Sequence, residues 1–60
     1  MCQLKCVKVT DNGEDLLMEE VTYLEVLPEA IKCRNLFGEE FEYRLQLSSI
    51  DFVEGKIQLK

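Results

Sequence analysis

The sequence predicts an all-β domain, an antiparallel meander of about six or seven short strands closed or half-closed into a small barrel. Three observations lead there. Turn signals recur at intervals of roughly 8–14 residues, a spacing that leaves room for strands between them. Between the turns, apolar and polar residues alternate with the period of two that a half-buried strand requires. No stretch carries a convincing helical period. The chain has 60 residues, 47% of them apolar, so residues 1–60 form one domain with a real but small core. Such a chain buries only about 60% of its unfolded surface and draws further stability from disulfides, a metal or a second copy.

Residues 2–10 form a valine-rich strand that leads to Asn12-Gly13, the strongest hairpin signal in the chain, because both central positions of a type I′ turn need positive φ. That turn pairs Asp11 with Glu14, Val9 with Leu16 and Val7 with Met18. Those valines, Leu16 and Met18 then share one face, with Lys8, Leu17, Cys6 and Glu19 on the other. Leu4 has the opposite parity to Val7 and Val9. Either both faces are covered at that end, or a bulge shifts the strand between Lys5 and Val7.

The stretch LLMEEVTYLEVL, residues 16–27, mixes helix formers with Val21, Thr22, Tyr23 and Val26, which prefer strands. It reads as strand over 15–20, a break at Val21-Thr22, and strand again over 23–27. Pro28-Glu29 turns the chain. Ile31 and Cys33 then alternate with Lys32 and Arg34, which makes Cys33 a core thiol behaving as a small hydrophobe. Phe37-Gly38 is a turn in which Gly38 supplies positive φ. In the next strand Phe41, Tyr43 and Leu45 alternate with Glu40, Glu42 and Arg44, so the acids face Lys32 and Arg34 across a hairpin. Ile50 and Phe52 carry another strand, Glu54-Gly55 turns it, and Ile57 and Leu59 finish the chain. By parity Phe37, Phe41, Tyr43 and Phe52 are mostly buried, leaving Tyr23 as the exposed ring.

Twelve acidic and seven basic residues give a net charge of −5, which works against affinity for phosphate backbones. No apolar run approaches the length of a membrane span, and the start lacks a secretion signal. Three cysteines are an odd number without a disulfide-framework spacing, so a reducing cytoplasm is the expected compartment. Histidine is absent, which removes the commonest general base. The pairs Glu19-Glu20 and Glu39-Glu40 are adjacent in sequence, and strand neighbours point to opposite faces, so neither is a carboxylate dyad. The chain reads as no enzyme.

Met1-Cys2 is the candidate functional site. The Met1 amine, the Cys2 amide nitrogen and the Cys2 sulfur are consecutive donors that close two fused five-membered chelate rings once the amide is deprotonated. If Met1 is trimmed, the Cys2 amine and its own sulfur still close one. A planar set of sulfur and nitrogen donors suits Ni(II) or Cu(II) better than tetrahedral Zn(II). Cys6 shares the strand parity of Cys2 but stands roughly 13 Å along it, too far for one ion. A twofold homodimer would bring two chain ends to a single metal.

The chain as a whole resembles the CooT family of very small nickel-binding proteins linked to maturation of carbon monoxide dehydrogenase. The residues that carry the resemblance are Met1-Cys2, Met18-Glu19-Glu20-Val21 with Leu24-Glu25-Val26, Leu36-Phe37-Gly38-Glu39, Ile50-Asp51-Phe52 and Gly55-Lys56-Ile57. The resemblance implies a small SH3-like β-barrel, a homodimer, Ni(II) held through Cys2, and a nickel-enzyme client such as carbon monoxide dehydrogenase or its maturation proteins. The chain departs from the family pattern in Cys6 and Cys33, to which no nickel role attaches. The expected function is therefore a nickel metallochaperone or nickel store. The alternative is an RNA-binding or protein-docking barrel with no metal role.

Overall fold

The structure, a computed structural model, describes residues 4–60. Six strands, β1 Leu4–Thr10, β2 Gly13–Val26, β3 Ile31–Asn35, β4 Glu40–Tyr43, β5 Leu47–Asp51 and β6 Lys56–Leu59, form one sheet in the order β4-β3-β2-β1-β6-β5. The all-β meander expected from the turn spacing is there. The sheet is mixed, not purely antiparallel, because β6 returns alongside β1 in parallel, pairing Lys5 with Lys56 through Lys8 with Leu59. It is not closed into a barrel, since β4 and β5 remain as edges of the sheet. No helix among the described residues is long and apolar enough to cross a membrane.

The shape depends on β2, which at 14 residues serves two neighbours in turn. Its first half pairs with β1 and its second half with β3, and Val21 is the pivot, opposite Leu4 on one side and Asn35 on the other. The bend that divides the halves sits at Glu20, whose φ is 54°, and at Thr22, bulged out between the Val21 and Tyr23 pairs. The break expected at Val21-Thr22 is therefore real, but the strand kinks there without ending. Neighbouring groups hold the kink: Leu36 N donates to Glu20 O at 2.9 Å and the Thr22 hydroxyl to Asn35 O at 3.2 Å. A β-branched side chain is strongly disfavoured at positive φ. Glu20→Val is expected to lower stability by roughly 1–3 kcal/mol, and Glu20→Gly to leave it unchanged or raised; thermal unfolding of both variants checks the sign.

The curl of the sheet turns its concave side into a core of Cys6, Met18, Val21, Ile31, Cys33, Ile57 and Leu59. These come from β1, β2, β3 and β6, and Leu4, Leu17, Leu24, Tyr43, Leu45 and Ile50 pack against them. Ile31 and Cys33 sit where the alternation placed them, and Ile57 and Leu59 are buried with them. Cys6 does not. It is fully buried and opposite Met18, and the residue across from Val7 is Leu16, which is 54% exposed.

Two features displaced the expected register. The hairpin loop is Asp11-Asn12, with Thr10 opposite Gly13 and its hydroxyl donating to Gly13 O at 3.0 Å, so the pairing starts one residue earlier on each strand. Irregularities on either side of Cys6 then place extra β2 residues against β1. A register counted out from a turn holds only to the first bulge. The bulge suspected between Lys5 and Val7 is the one that turns Cys6 inward.

The β3–β4 hairpin follows the expected register, with Lys32 opposite Glu42 and Arg34 opposite Glu40. Arg34 donates to the Glu40 carboxylate and lies over the Tyr23 ring at 4.7 Å. Across the sheet Lys56 donates to Glu14 at 3.0 Å and Gln58 donates to the same carboxylate at 2.7 Å.

These contacts give the pH dependence its sign. The Lys56 and Gln58 donors hold the Glu14 carboxyl below its ordinary range, and Arg34 does the same to Glu40. Each favours the folded state above the unfolded carboxyl's ordinary value, and that favour is lost as pH falls through the lowered folded value. Glu14 in turn raises Lys56, whose contribution is present below the ordinary lysine range and is lost as alkali titrates through the raised value. Glu14 and Glu40 are exposed and Lys56 is half-buried at the surface, so the effect is small. The melting temperature is expected to be flat near neutrality and to fall modestly on acidification, less steeply in Lys56→Met.

Candidate metal centre

Cys2 and Met1, the donors expected to hold Ni(II), lie outside the described residues. The described scaffold begins at Leu4, where β1 enters the sheet between β2 and β6. Leu4 pairs with Val21 at the β2 bend, and Lys5 N donates to Gly55 O at 2.8 Å, extending the β1–β6 ladder to the turn. Gly55 is buried, with φ of 71°, so the turn needs a residue that tolerates left-handed backbone. The strand leading out of residues 1–3 is thus held on both sides by ladder bonds.

Among the described residues no group of three or more His, Cys, Asp or Glu side chains could hold a metal ion. Cys6 and Cys33 are both fully buried, with their sulfurs 3.7 Å apart. Contact with Cys33, followed by burial, drives the Cys6 thiol far above the usual thiol range. A thiol so held does not present a thiolate at neutral pH. Glu39 lies just before β4, so strand alternation does not govern the Glu39-Glu40 pair: both are exposed, Glu39 accepting from Asn35 Nδ2 at 2.8 Å and Glu40 from Arg34.

The aromatic residues correct the sequence reading. Phe37, Phe41 and Phe52, expected to be mostly buried, are 76%, 53% and 69% exposed. Phe37 rides the β3–β4 turn, which Asn35 ties together by accepting from both Phe37 N and Glu39 N at 3.0 Å. Phe52 lies past the end of β5, where Asp51 Oδ1 accepts from Val53 N at 2.9 Å and holds the loop with both apolar side chains outward. Parity buries a residue only within a ladder, and these two sit in turns. Phe41 is on the edge strand β4, with no further strand beyond it. Leu16, Leu36, Leu47 and Val53 are exposed as well.

The model of the family "CO dehydrogenase accessory protein CooT" matches residues 1–60. The chain belongs to the CooT family. Among solved structures it is similar to the crystal structure of "putative CooT from Carboxydothermus hydrogenoformans", with a TM-score of 0.87 and 24% sequence identity over 97% of this chain and 94% of that one. At that identity the likeness concerns the fold, and it covers essentially the whole sheet. No curated protein matches the chain. The CooT family is described by an accessory role toward CO dehydrogenase, not by a catalytic one, in line with the reading of the sequence as no enzyme.

Proposed function

We propose that this CooT protein is a cytoplasmic nickel(II)-binding accessory protein, a metallochaperone or nickel store for maturation of CO dehydrogenase. One ion is shared by the Cys2 sites of a homodimer. The observation that carries the reading is the match to the CO dehydrogenase accessory family across residues 1–60, in a chain whose second residue is a cysteine. The chemistry agrees: thiolate, amide and Met1 amine nitrogens together favour the planar geometry of Ni(II). One chain end leaves an ion short of ligands, and a second copy supplies them. The exposed Leu16, Phe37, Phe41, Phe52 and Val53 support such an association. Copper competes on intrinsic affinity, so selectivity rests on supply or on the client.

A native mass spectrum with and without Ni(II) tests the stoichiometry. The expected species is two chains with one ion. Two ions per dimer, or a loaded monomer, would refute the shared site.

The exposed rings also favour a second reading, a protein-docking sheet in which Cys2 is incidental. For RNA they are less suitable. One face of Tyr23, which is 42% exposed, is taken by Arg34, and the net charge of −5 opposes the phosphate contacts that single-strand binders use. Salt-sensitive retention of single-stranded RNA by metal-free protein would favour that reading over nickel.

A further inference from the structure

Cys6 and Cys33 are 27 residues apart in sequence and lie on β1 and β3, strands that never pair because β2 runs between them. In a flat sheet two ladder spacings of about 4.8 Å would separate them. The kink at Glu20 folds β3 toward β1 until the two sulfurs stand 3.7 Å apart. Neither has any exposed surface, and their surroundings are the apolar side chains of Met18, Val21, Ile31, Ile57 and Leu59. Two small hydrophobes would fill this space equally well as Ala or Val. What the sequence places there is two thiols, which can bond to each other covalently. Cys6 also sits between the two irregularities of the β1–β2 ladder, where backbone shifts are easiest.

We propose that Cys6 and Cys33 are a built-in dithiol that closes to an intramolecular disulfide when the protein meets a peroxide. One thiol, opened to its thiolate by local fraying of the irregular ladder, attacks a peroxide oxygen. This breaks the O–O bond, gives a sulfenic acid and releases water once the proton is counted. The second sulfur displaces the sulfenic hydroxyl as water, forming the S–S bond. In total two thiols and one hydrogen peroxide become one disulfide and two waters. Closure needs the sulfurs to approach to about 2.05 Å, a movement two side chains share by rotating about χ1. The bond ties β1, the strand that follows Cys2, to β3 and locks the curl of the sheet. It does not involve the proposed nickel donors.

The test uses Cys2→Ser, in which Cys6 and Cys33 are the only remaining thiols. The folded protein is treated with a few equivalents of hydrogen peroxide, then quenched, denatured and alkylated. The expected product is a monomer lighter by two hydrogens that takes up no alkylating agent and yields a peptide joining Cys6 to Cys33. Its melting temperature rises on the order of 15 °C, as closure of a loop of this length implies, and dithiothreitol reverses the change. Cys2→Ser/Cys33→Ala, which keeps an apolar side chain in the space, shows neither change. The proposal is overturned if both thiols still alkylate after peroxide, if the mass rises by oxygen atoms, if the product is a linked dimer, or if the bond forms only in urea.

Discussion

Cys2→Ser is expected to abolish the near-ultraviolet sulfur-to-metal charge-transfer band that wild-type protein develops on adding Ni(II). The alcohol of serine is a hard, poorly ionised donor where a soft thiolate stood, and it leaves only backbone nitrogens. Losing a group that merely orients a ligand costs about 10–100-fold in metal affinity; losing the sulfur itself is expected to exceed that range. The same site predicts a steep pH dependence. Thiol, amide and amine must all shed protons to bind, so affinity falls on acidification by at least tenfold per pH unit below neutrality. Isothermal titration at two pH values, with the variant alongside, measures both. Among the described residues the core cluster runs from Cys6 to Leu59, and the fold is expected to be indifferent to this change. An unaltered circular dichroism spectrum with lost nickel uptake is the expected pair of results. Full uptake by Cys2→Ser would refute the metal site outright.

Ile57→Ala is expected to have the largest effect on stability. Ile57 is 1% exposed on β6, opposite Cys6 in the parallel ladder and Ile50 in the antiparallel one. It therefore sits at the seam that ties the last hairpin to the first strand. Deleting its branched side chain from a packed site costs about 2–5 kcal/mol. A domain of this size has about 3–9 kcal/mol in all, so the variant loses about a fifth of its margin or more. A fall in melting temperature of more than about 10 °C follows. Phe52→Ala, which removes a larger side chain from an exposed loop, is expected to shift it by no more than a few degrees in the metal-free monomer. If the two variants melt alike, the core has been misplaced.

The two expectations differ in what they needed. The proposed nickel site is read from the first two residues alone, because a thiol beside a chain of nitrogens is a property of covalent connectivity and needs no fold. The family assignment then confirmed the accessory role that the resemblance implied. Local rules also found the turns at Phe37-Gly38 and Glu54-Gly55, where Gly38 and Gly55 have φ of 84° and 71°, and the facing of Lys32 and Arg34 by Glu42 and Glu40. Each depends on residues a few positions apart.

What the sequence determined by itself was the class of the fold and the alternation of β3 and β6, and it is the source of the donor set proposed at Cys2; all are written in short-range pattern. Only the tertiary structure decided that Cys6 is a core residue touching Cys33, that three phenylalanines face solvent, and that β6 closes against β1 in parallel. The reason is the same in each case. A strand's parity says which residues share a face, but a bulge resets it and a bend redirects it. Which face is inside is then settled by the whole sheet curling about Glu20, over distances no local pattern spans.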